Sequence, residues 1–489
     1  MPGQNTTDLL IVGAGFGGLI MAIEARKRGI RDIVILEKAD EVGGTWRENT
    51  YPGVACDVPS HLYSMASHPN PDWTTAYAGG GEIQAYIQRV AQDEGLYDLC
   101  RFKRTFKSAK WDGAQWQIDT EGGERWSAKV FVSALGPLHV PQIPALPGAD
   151  SFLGPCFHSA QWDHDVDLTG KRVAVVGSGA SVIQFVPEIA KTAGRVSVFQ
   201  RSAPYVIPRP DGPISPIWRT LYRALPFTRQ LRRQSIYHMM EMRHGVFMGK
   251  EKAVNFAMNL WRKGMERSIT DPEMRNALTP DYRIGCKRIL SSNAWYKALA
   301  RDNVDLIPSG VARIDRTRVI AATGESIEAD VLIWGTGFQV TDALERLDIT
   351  GDGGHSLAET WKDGVSAHLG VSVAGFPNLF FLLGPNTGLG HNSVVLMIEA
   401  QVEHICRLLD QMKQSGTAAI EPLESAQADF AGEMSDRLSE SVWQNGGCAS
   451  WYQDASGHTP VLWPGTVGEY RKRMRAAGIE QYRPVEIEP

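Results

Sequence analysis

Two stretches of this chain carry the same order of apolar and small residues. Asp8–Val12 is a short apolar run that stops at Gly13-Ala-Gly-Phe-Gly-Gly18. Leu19–Arg28 then spaces its apolar residues as a helix does, and Ile33–Glu37 reads as a second buried strand. Arg172–Gln184 repeats the pattern around Gly177 and Gly179, with Arg195–Gln200 as its second strand. Each stretch predicts strand, glycine turn, helix and second strand. They are the only self-similarity in a chain without low-complexity tracts.

The remaining pattern fills in around these units. Residues 82–99 have the spacing of an amphipathic helix. Residues 101–132 alternate through Phe102, Phe106, Trp111, Trp116, Ile118, Trp126, Val130 and Val132, which predicts antiparallel strands that rejoin the main sheet at Val130–Ala134. Pro137, Pro141, Pro144 and Pro147 mark a linker. From Ile214 to Met274 the pattern is helical, basic and methionine-rich, suited to helix core or to the wall of an adaptable apolar cavity. Asp330–Phe338 is a buried strand ending in a glycine turn. Residues 379–392 are another, and Ser393–Met412 is a long helix with Asn392 or Ser393 as its cap. The expected fold is α/β, with two Rossmann-like dinucleotide-binding domains and a helical insertion in the second. The expected limits are 1–140 and 375–489 for the first domain, 150–212 and 281–374 for the second, and 213–280 for the insertion.

Length and charge narrow the functional classes. A chain of 489 residues exceeds one hydrophobic core. A formal net charge of -5 argues against nucleic acid as a partner. No apolar run is long enough to span a bilayer, which leaves a cytoplasmic protein, with peripheral membrane contact through the basic face of 214–274 as a minority reading. Six cysteines lie far apart without a C-x-x-C, so a redox dithiol is not expected, and scattered free thiols fit a reducing compartment. The Asp163-His-Asp-Val-Asp167 run has metal-ligand residue types but no partner cluster, and reads as a solvated loop; no metal is expected.

The turns carry the chemistry. Gly13 permits the tight turn, Gly15 lets a pyrophosphate approach backbone N–H groups, and Gly18 lets helix and strand pack closely. The helix N-terminus adds partial positive charge. Glu37, at the end of the second strand, accepts hydrogen bonds from ribose hydroxyls and would repel a 2′-phosphate, as suits FAD or NAD. The second unit has Gln200 at that place, followed by Arg201 and Ser202. Losing the carboxylate and gaining a guanidinium suits the 2′-phosphate of NADPH. Its third small position is Val182, which should push helix off strand. One site that excludes a 2′-phosphate beside one that invites it points to hydride transfer between NADPH and FAD.

The connector between the units makes the reading specific. Phe152, Gly154, His158, Trp162 and Asp163 match F-x-G-x-x-x-H-x-x-x-W-[P/D], and the chain thereby resembles the type I Baeyer–Villiger monooxygenases, class B flavoprotein monooxygenases. The likeness extends to G-G-T-W at 43–46, Y-P-G-x-x-C-D at 51–57, G-C-K-R at 285–288 and G-T-G-F at 335–338, where A-T-G is more usual. The resemblance implies that FAD lies on Gly13, Gly15, Phe16, Gly18, Glu37, Lys38, Gly44, Thr45, Trp46, Asp57 and Tyr63, with Phe106 near the adenine. It puts NADPH over Gly177, Gly179, Ser181, Gln184, Arg201, Ser202 and Lys287, with Trp451 of the tail on the nicotinamide nucleotide.

The reaction so implied inserts one oxygen atom of O2 beside a ketone carbonyl through a C4a-peroxyflavin, giving an ester or lactone, with sulfides as further substrates. Arg288 stabilises oxyanion charge in that scheme, and Asp57 holds Arg288 in place. Taken without the resemblance, Arg288 reads rather as a surface arginine and Asp57 as a loop cap. His158 is expected to tie the connector to the domains. The alternative is an N- or S-oxygenating flavin monooxygenase without Baeyer–Villiger activity; relatives of that kind carry Tyr or Phe in place of Trp162. Substrate identity and oligomeric state lie beyond the sequence.

Overall fold

The computed structural model describes residues 5–339, 347–454 and 457–487. Asn5–Val12 runs through an eight-stranded sheet with parallel neighbours on both sides. Leu9 faces Ile33 of Ile33–Leu36 and Val130 of Arg125–Ser133. Leu9, Leu10, Ile11 and Val12 are all buried, as the apolar run requires of a strand covered on both faces. Arg125–Ser133 also pairs antiparallel with Trp116–Thr120, which in turn pairs with Phe106–Trp111. The aromatic alternation therefore extends the main sheet itself. The helix expected over 82–99 is Gly80–Asp93, because Gly95 takes φ +61° and closes it; Leu96 N then donates to Ala91 O at 2.8 Å.

The second sheet has five parallel strands in the order Val304–Ile307, Arg195–Phe199, Arg172–Val176, Val331–Trp334, Cys156–His158. The chain re-enters the first sheet ahead of the expected residue 375. Ile349–Thr350 already pairs with Phe106–Trp111, and Leu379–Phe381 pairs with Arg125–Ser133. The long helix is Val394–Ser415, with Ser393 at its N-cap, and it packs on the first cradle helix Phe16–Lys27.

The span expected to be a helical insertion, 213–280, contains the helices Pro216–Ala224, Pro226–Glu241, His244–Phe247, Glu251–Glu266 and Pro272–Ala277. Ser215 and Asp271 cap two of these helices, each with proline in the first turn. Arg233 fastens the insertion to the first domain by donating from one nitrogen to the carbonyls of His61, Leu62 and Ser64 at 2.9, 3.3 and 3.1 Å. Met240 and Met265 are core, Met239 and Met242 are exposed, and no methionine of the insertion lines the functional cleft.

One expectation about thiols is overturned. Cys286 and Cys448 form a disulfide across a sequence separation of 162, leaving Cys56, Cys100, Cys156 and Cys406 free. Spacing in the chain could not reveal the pair, because the tail folds back over the 285–288 turn only in three dimensions.

Among the described residues no helix is long and apolar enough to cross a membrane.

Candidate active site

A cleft of about 1130 Å³ opens at the carboxyl ends of both sheets and is walled by both glycine turns. It brings together every residue expected to contact a nucleotide except two. Gly18 lies behind the turn, where a Cβ would come within 1.9 Å of the Gly13 carbonyl oxygen; it is a packing residue. Lys287 reaches the cleft wall through Ser202, donating from Nζ to Oγ at 2.7 Å.

At the first turn Gly13 has φ +108°, and a Cβ there would sit 2.5 Å from the Ala134 carbonyl oxygen. Across the cleft Gly44, at φ +56°, approaches so closely that its Cβ would lie 3.1 Å from the Gly15 Cα. Bare backbone on both sides fits a pyrophosphate. Glu37 is 4% exposed; it accepts from Ala14 N at 2.8 Å and Ala39 N at 3.0 Å, and pairs with Arg47 at 3.1 Å. A carboxylate so fixed suits a ribose diol and repels a phosphate. Arg47 follows directly on the G-G-T-W stretch and was not singled out from sequence. Trp46 donates from Nε1 to Tyr63 Oη at 3.2 Å, and Phe16 meets Tyr63 edge-on at 5.3 Å, giving an aromatic wall for a flat ring.

The second turn differs in charge as expected. Gln200 is buried and turned away, donating to Ala277 O at 3.0 Å. Arg201 is exposed at the cleft, and neither it nor Lys287 forms an ion pair among the described residues. Burial, and then the charge of Arg201, holds the Lys287 ammonium below its ordinary pKa. Two crowded cations with no carboxylate in ion-pair contact among the described residues, Asp281 acting on Lys287 only at longer range, suit a dianion. Val182 does not disrupt this turn. It is fully buried, and its Cγ2 occupies the space that a Cβ on Gly335 would need, at 2.1 Å. The helix starts at Val182, whereas the first cradle helix starts at Phe16, directly after its second glycine.

Gln184 does more than was expected of it. Its Oε1 accepts from Tyr51 Oη at 2.9 Å and its Nε2 donates to Ala55 O at 2.9 Å, so it joins the second domain to the 51–57 loop of the first. Trp162 packs on Phe185 at 5.3 Å and on Phe157 at 5.3 Å, continuing the same joint. His158 is buried, its Nδ1 accepts from Ala160 N at 3.1 Å, and burial lowers it to about 4. It is a neutral structural residue, as expected. The 163–167 run is an exposed loop in which Asp163 and Asp167 cap the N–H groups of Asp165 and Thr169.

The 51–57 loop places Asp57 against Arg288. Arg288 Nε donates to Asp57 Oδ2 at 2.8 Å and Nη2 lies 2.7 Å from the same oxygen. The Asp57 charge raises the Arg288 pKa above its ordinary value, so the guanidinium is a permanent cation. Both side chains are about one-third exposed, at 30% and 31%, and both face the cleft. Beside them the tail closes in. Cys448 is bonded to Cys286, Trp451 lines the cleft, and Tyr452 is fully buried next to Arg288; burial pushes its phenol pKa up while Arg288 pulls it down. Neither the disulfide nor Tyr452 was singled out from sequence, although the adjacent Trp451 was.

Residues 7–252 match the family model described as flavin-binding monooxygenase-like. The chain is 45% identical over 476 residues to a Baeyer–Villiger monooxygenase of Streptomyces coelicolor, covering 97% of this chain and 92% of the relative. It is 41% identical over 475 residues to one of Pseudomonas aeruginosa, covering 96% and 90%. Among solved structures, an oxidised steroid monooxygenase bound to NADP superposes with a TM-score of 0.87 at 31% identity, covering 99% of this chain and all of that one (100%). A closed cyclohexanone monooxygenase gives 0.87 at 27% identity, covering 99% of each chain.

Proposed function

The chain belongs to the Baeyer–Villiger monooxygenases and is an NADPH-dependent flavoprotein, and from that premise we propose that it converts ketones into esters or lactones and also oxidises sulfides. The observation that carries the reading is the Arg288–Asp57 pair, held in a cleft shared by the two cradles. Bound FAD supplies the activation of O2, and NADPH supplies the hydride.

The protein's own part is positional and electrostatic. Gly13, Gly15 and Gly44 hold the flavin nucleotide's pyrophosphate, Glu37 its ribose, and Phe106 flanks its adenine. Gly177, Gly179 and Ser181 hold the second pyrophosphate, and Arg201, with Ser202 and Lys287, selects the 2′-phosphate. Arg288 stands where negative charge gathers on the carbonyl oxygen of the substrate as oxygen is inserted. A preorganised cation needs no reorganisation at that moment, which is the usual source of such rate enhancement. Asp57 fixes the direction of the guanidinium through two contacts to one oxygen. We take 1–140 with 375–489 as the FAD domain, 150–212 with 281–374 as the NADPH domain and 213–280 as the helical insertion in the latter, except that the return to the first sheet is moved from 375 to Ile349, so that the NADPH domain ends before it. We place the enzyme in the cytoplasm, where NADPH is available.

The test uses purified, FAD-loaded enzyme, NADPH, isotopically labelled O2 and a panel of ketones and sulfides. One labelled oxygen is expected in the ester or lactone, and one in the sulfoxide. Peroxide as the sole product, or sulfoxide without any ester, would overturn the ketone reading. Arg288→Ala should keep FAD reduction by NADPH and lose ester formation by about 10²–10³-fold.

A further inference from the structure

The helical insertion displays a surface that the active site does not use. Of the twelve large apolar side chains exposed among the described residues, eight lie between Ile217 and Phe256. Five of them fall within fifteen residues of one hairpin, Pro216–Ala224 and Pro226–Glu241: Ile217 is 81% exposed, Trp218 52%, Leu225 43%, Phe227 57% and Leu231 64%. Single exposed apolar residues are ordinary, but a cluster on one element marks an interaction surface.

The charge on the same hairpin says what it would meet. The chain as a whole is at -5, yet residues 213–240 contain five arginines and no Asp or Glu. Arg223 pairs with Asp72, and Arg233 points inward at Glu399; Arg219, Arg229 and Arg232 form no ion pair among the described residues, Arg232 being exposed and Arg219 and Arg229 half-buried, each with its Nε covered. Trp and Phe beside unpaired arginines on an amphipathic helix are the composition of an element that lies in the headgroup region of a bilayer. No residue of 213–280 lines the cleft, so neither the cofactors nor the substrate accounts for the patch.

The hairpin is also held from behind. Tyr222 is buried edge-on against His61 at 4.8 Å, and Arg233 binds three carbonyls of the 61–64 segment. The outer face is therefore presented by an anchored element. We propose that the hairpin Pro216–Glu241 docks the enzyme on an anionic lipid bilayer, the apolar side chains entering the acyl boundary and the unpaired arginines meeting lipid phosphates.

The experiment is co-sedimentation of the FAD-loaded enzyme with phosphatidylcholine vesicles, with and without phosphatidylglycerol, at low and high salt. Two triple variants, Trp218→Ser/Phe227→Ser/Leu231→Ser and Arg219→Gln/Arg229→Gln/Arg232→Gln, are run alongside, with FAD content and NADPH-driven flavin reduction as checks of folding. Wild type is expected to pellet with the anionic vesicles and to be released by salt. Each variant should bind at least about tenfold more weakly with flavin reduction intact. No binding of wild type to either vesicle would overturn the proposal. So would vesicle binding that both correctly folded variants retain. A dimer in solution that the apolar variant abolishes, with no vesicle binding, would assign the face to a second copy of the chain instead.

Discussion

Val182 and Gly335 share one space. Val182 stands where the first cradle has Gly18, and Gly335 opens the G-T-G-F turn, where the family resemblance leads one to expect Ala. A Cβ on Gly335 would come within 2.1 Å of Val182 Cγ2, so the two departures compensate one another. The third small residue of a cradle normally gives room for helix to meet strand. Here the room is given by the neighbouring strand's turn.

This predicts a coupled pair. Gly335→Ala alone should overpack the turn, lowering stability by about 1–3 kcal/mol and raising the KM for NADPH. Val182→Gly with Gly335→Ala should recover much of the NADPH affinity. A double-mutant cycle on thermal stability and KM checks it, and additive effects would show that the residues do not interact.

Asp57 is proposed to act by positioning Arg288, which it contacts at 2.8 and 2.7 Å. Asp57→Ala should leave FAD content and flavin reduction by NADPH near normal while slowing ester formation by about tenfold or more, as expected when a charged hydrogen bond is lost. Arg288→Lys keeps the charge without the planar fork and should recover little of the rate lost in Arg288→Ala. Single-turnover kinetics separate the two half-reactions; equal losses in both would contradict this role.

Cofactor choice is proposed to rest on Arg201, with Lys287 behind Ser202. Arg201→Ala should raise the KM for NADPH by about 10–100-fold and leave that for NADH nearly unchanged. Steady-state kinetics with both cofactors decide it, and similar losses with each would refute the assignment.

The Cys286–Cys448 bond ties the tail that carries Trp451 and Tyr452 to the turn that carries Lys287 and Arg288. Cys286→Ser, or a reductant, should lower unfolding stability, by up to about 5 kcal/mol on the chain-entropy view for a loop of this length. The KM for NADPH should rise while FAD content stays constant, which titration and denaturant unfolding would measure.

Acid should destabilise the fold before its carboxylates titrate. Burial lowers His61 and His158 to about 4 and His404 to about 3, against 6.5 for an unfolded histidine. Between pH 6.5 and about 4 the unfolded chain therefore binds more protons than the native one. Stability is full above 6.5 and falls with pH, by about 1.4 kcal/mol per pH unit for each such group. Thermal unfolding across that range should show the fall, and His158→Asn should make it shallower.

Much of this protein was legible in local pattern. Both cradles, the aromatic strands, the helical insertion and the contrast between Glu37 and Gln200 follow from side-chain periodicity and from charges at fixed distances from a turn, which the backbone places without help from the rest of the chain. Asp57, Arg288 and Trp451 carried no local signal of their own and were reached through resemblance. Only the tertiary structure could join residues whose contact depends on packing between distant segments. The disulfide needs the tail to fold over the 285–288 turn, and Gln184 has to reach across the domain joint to Tyr51 and Ala55. Val182 remained a defect in the pattern until the strand 331–334 set Gly335 beside it, because a volume conflict exists only where two backbones meet.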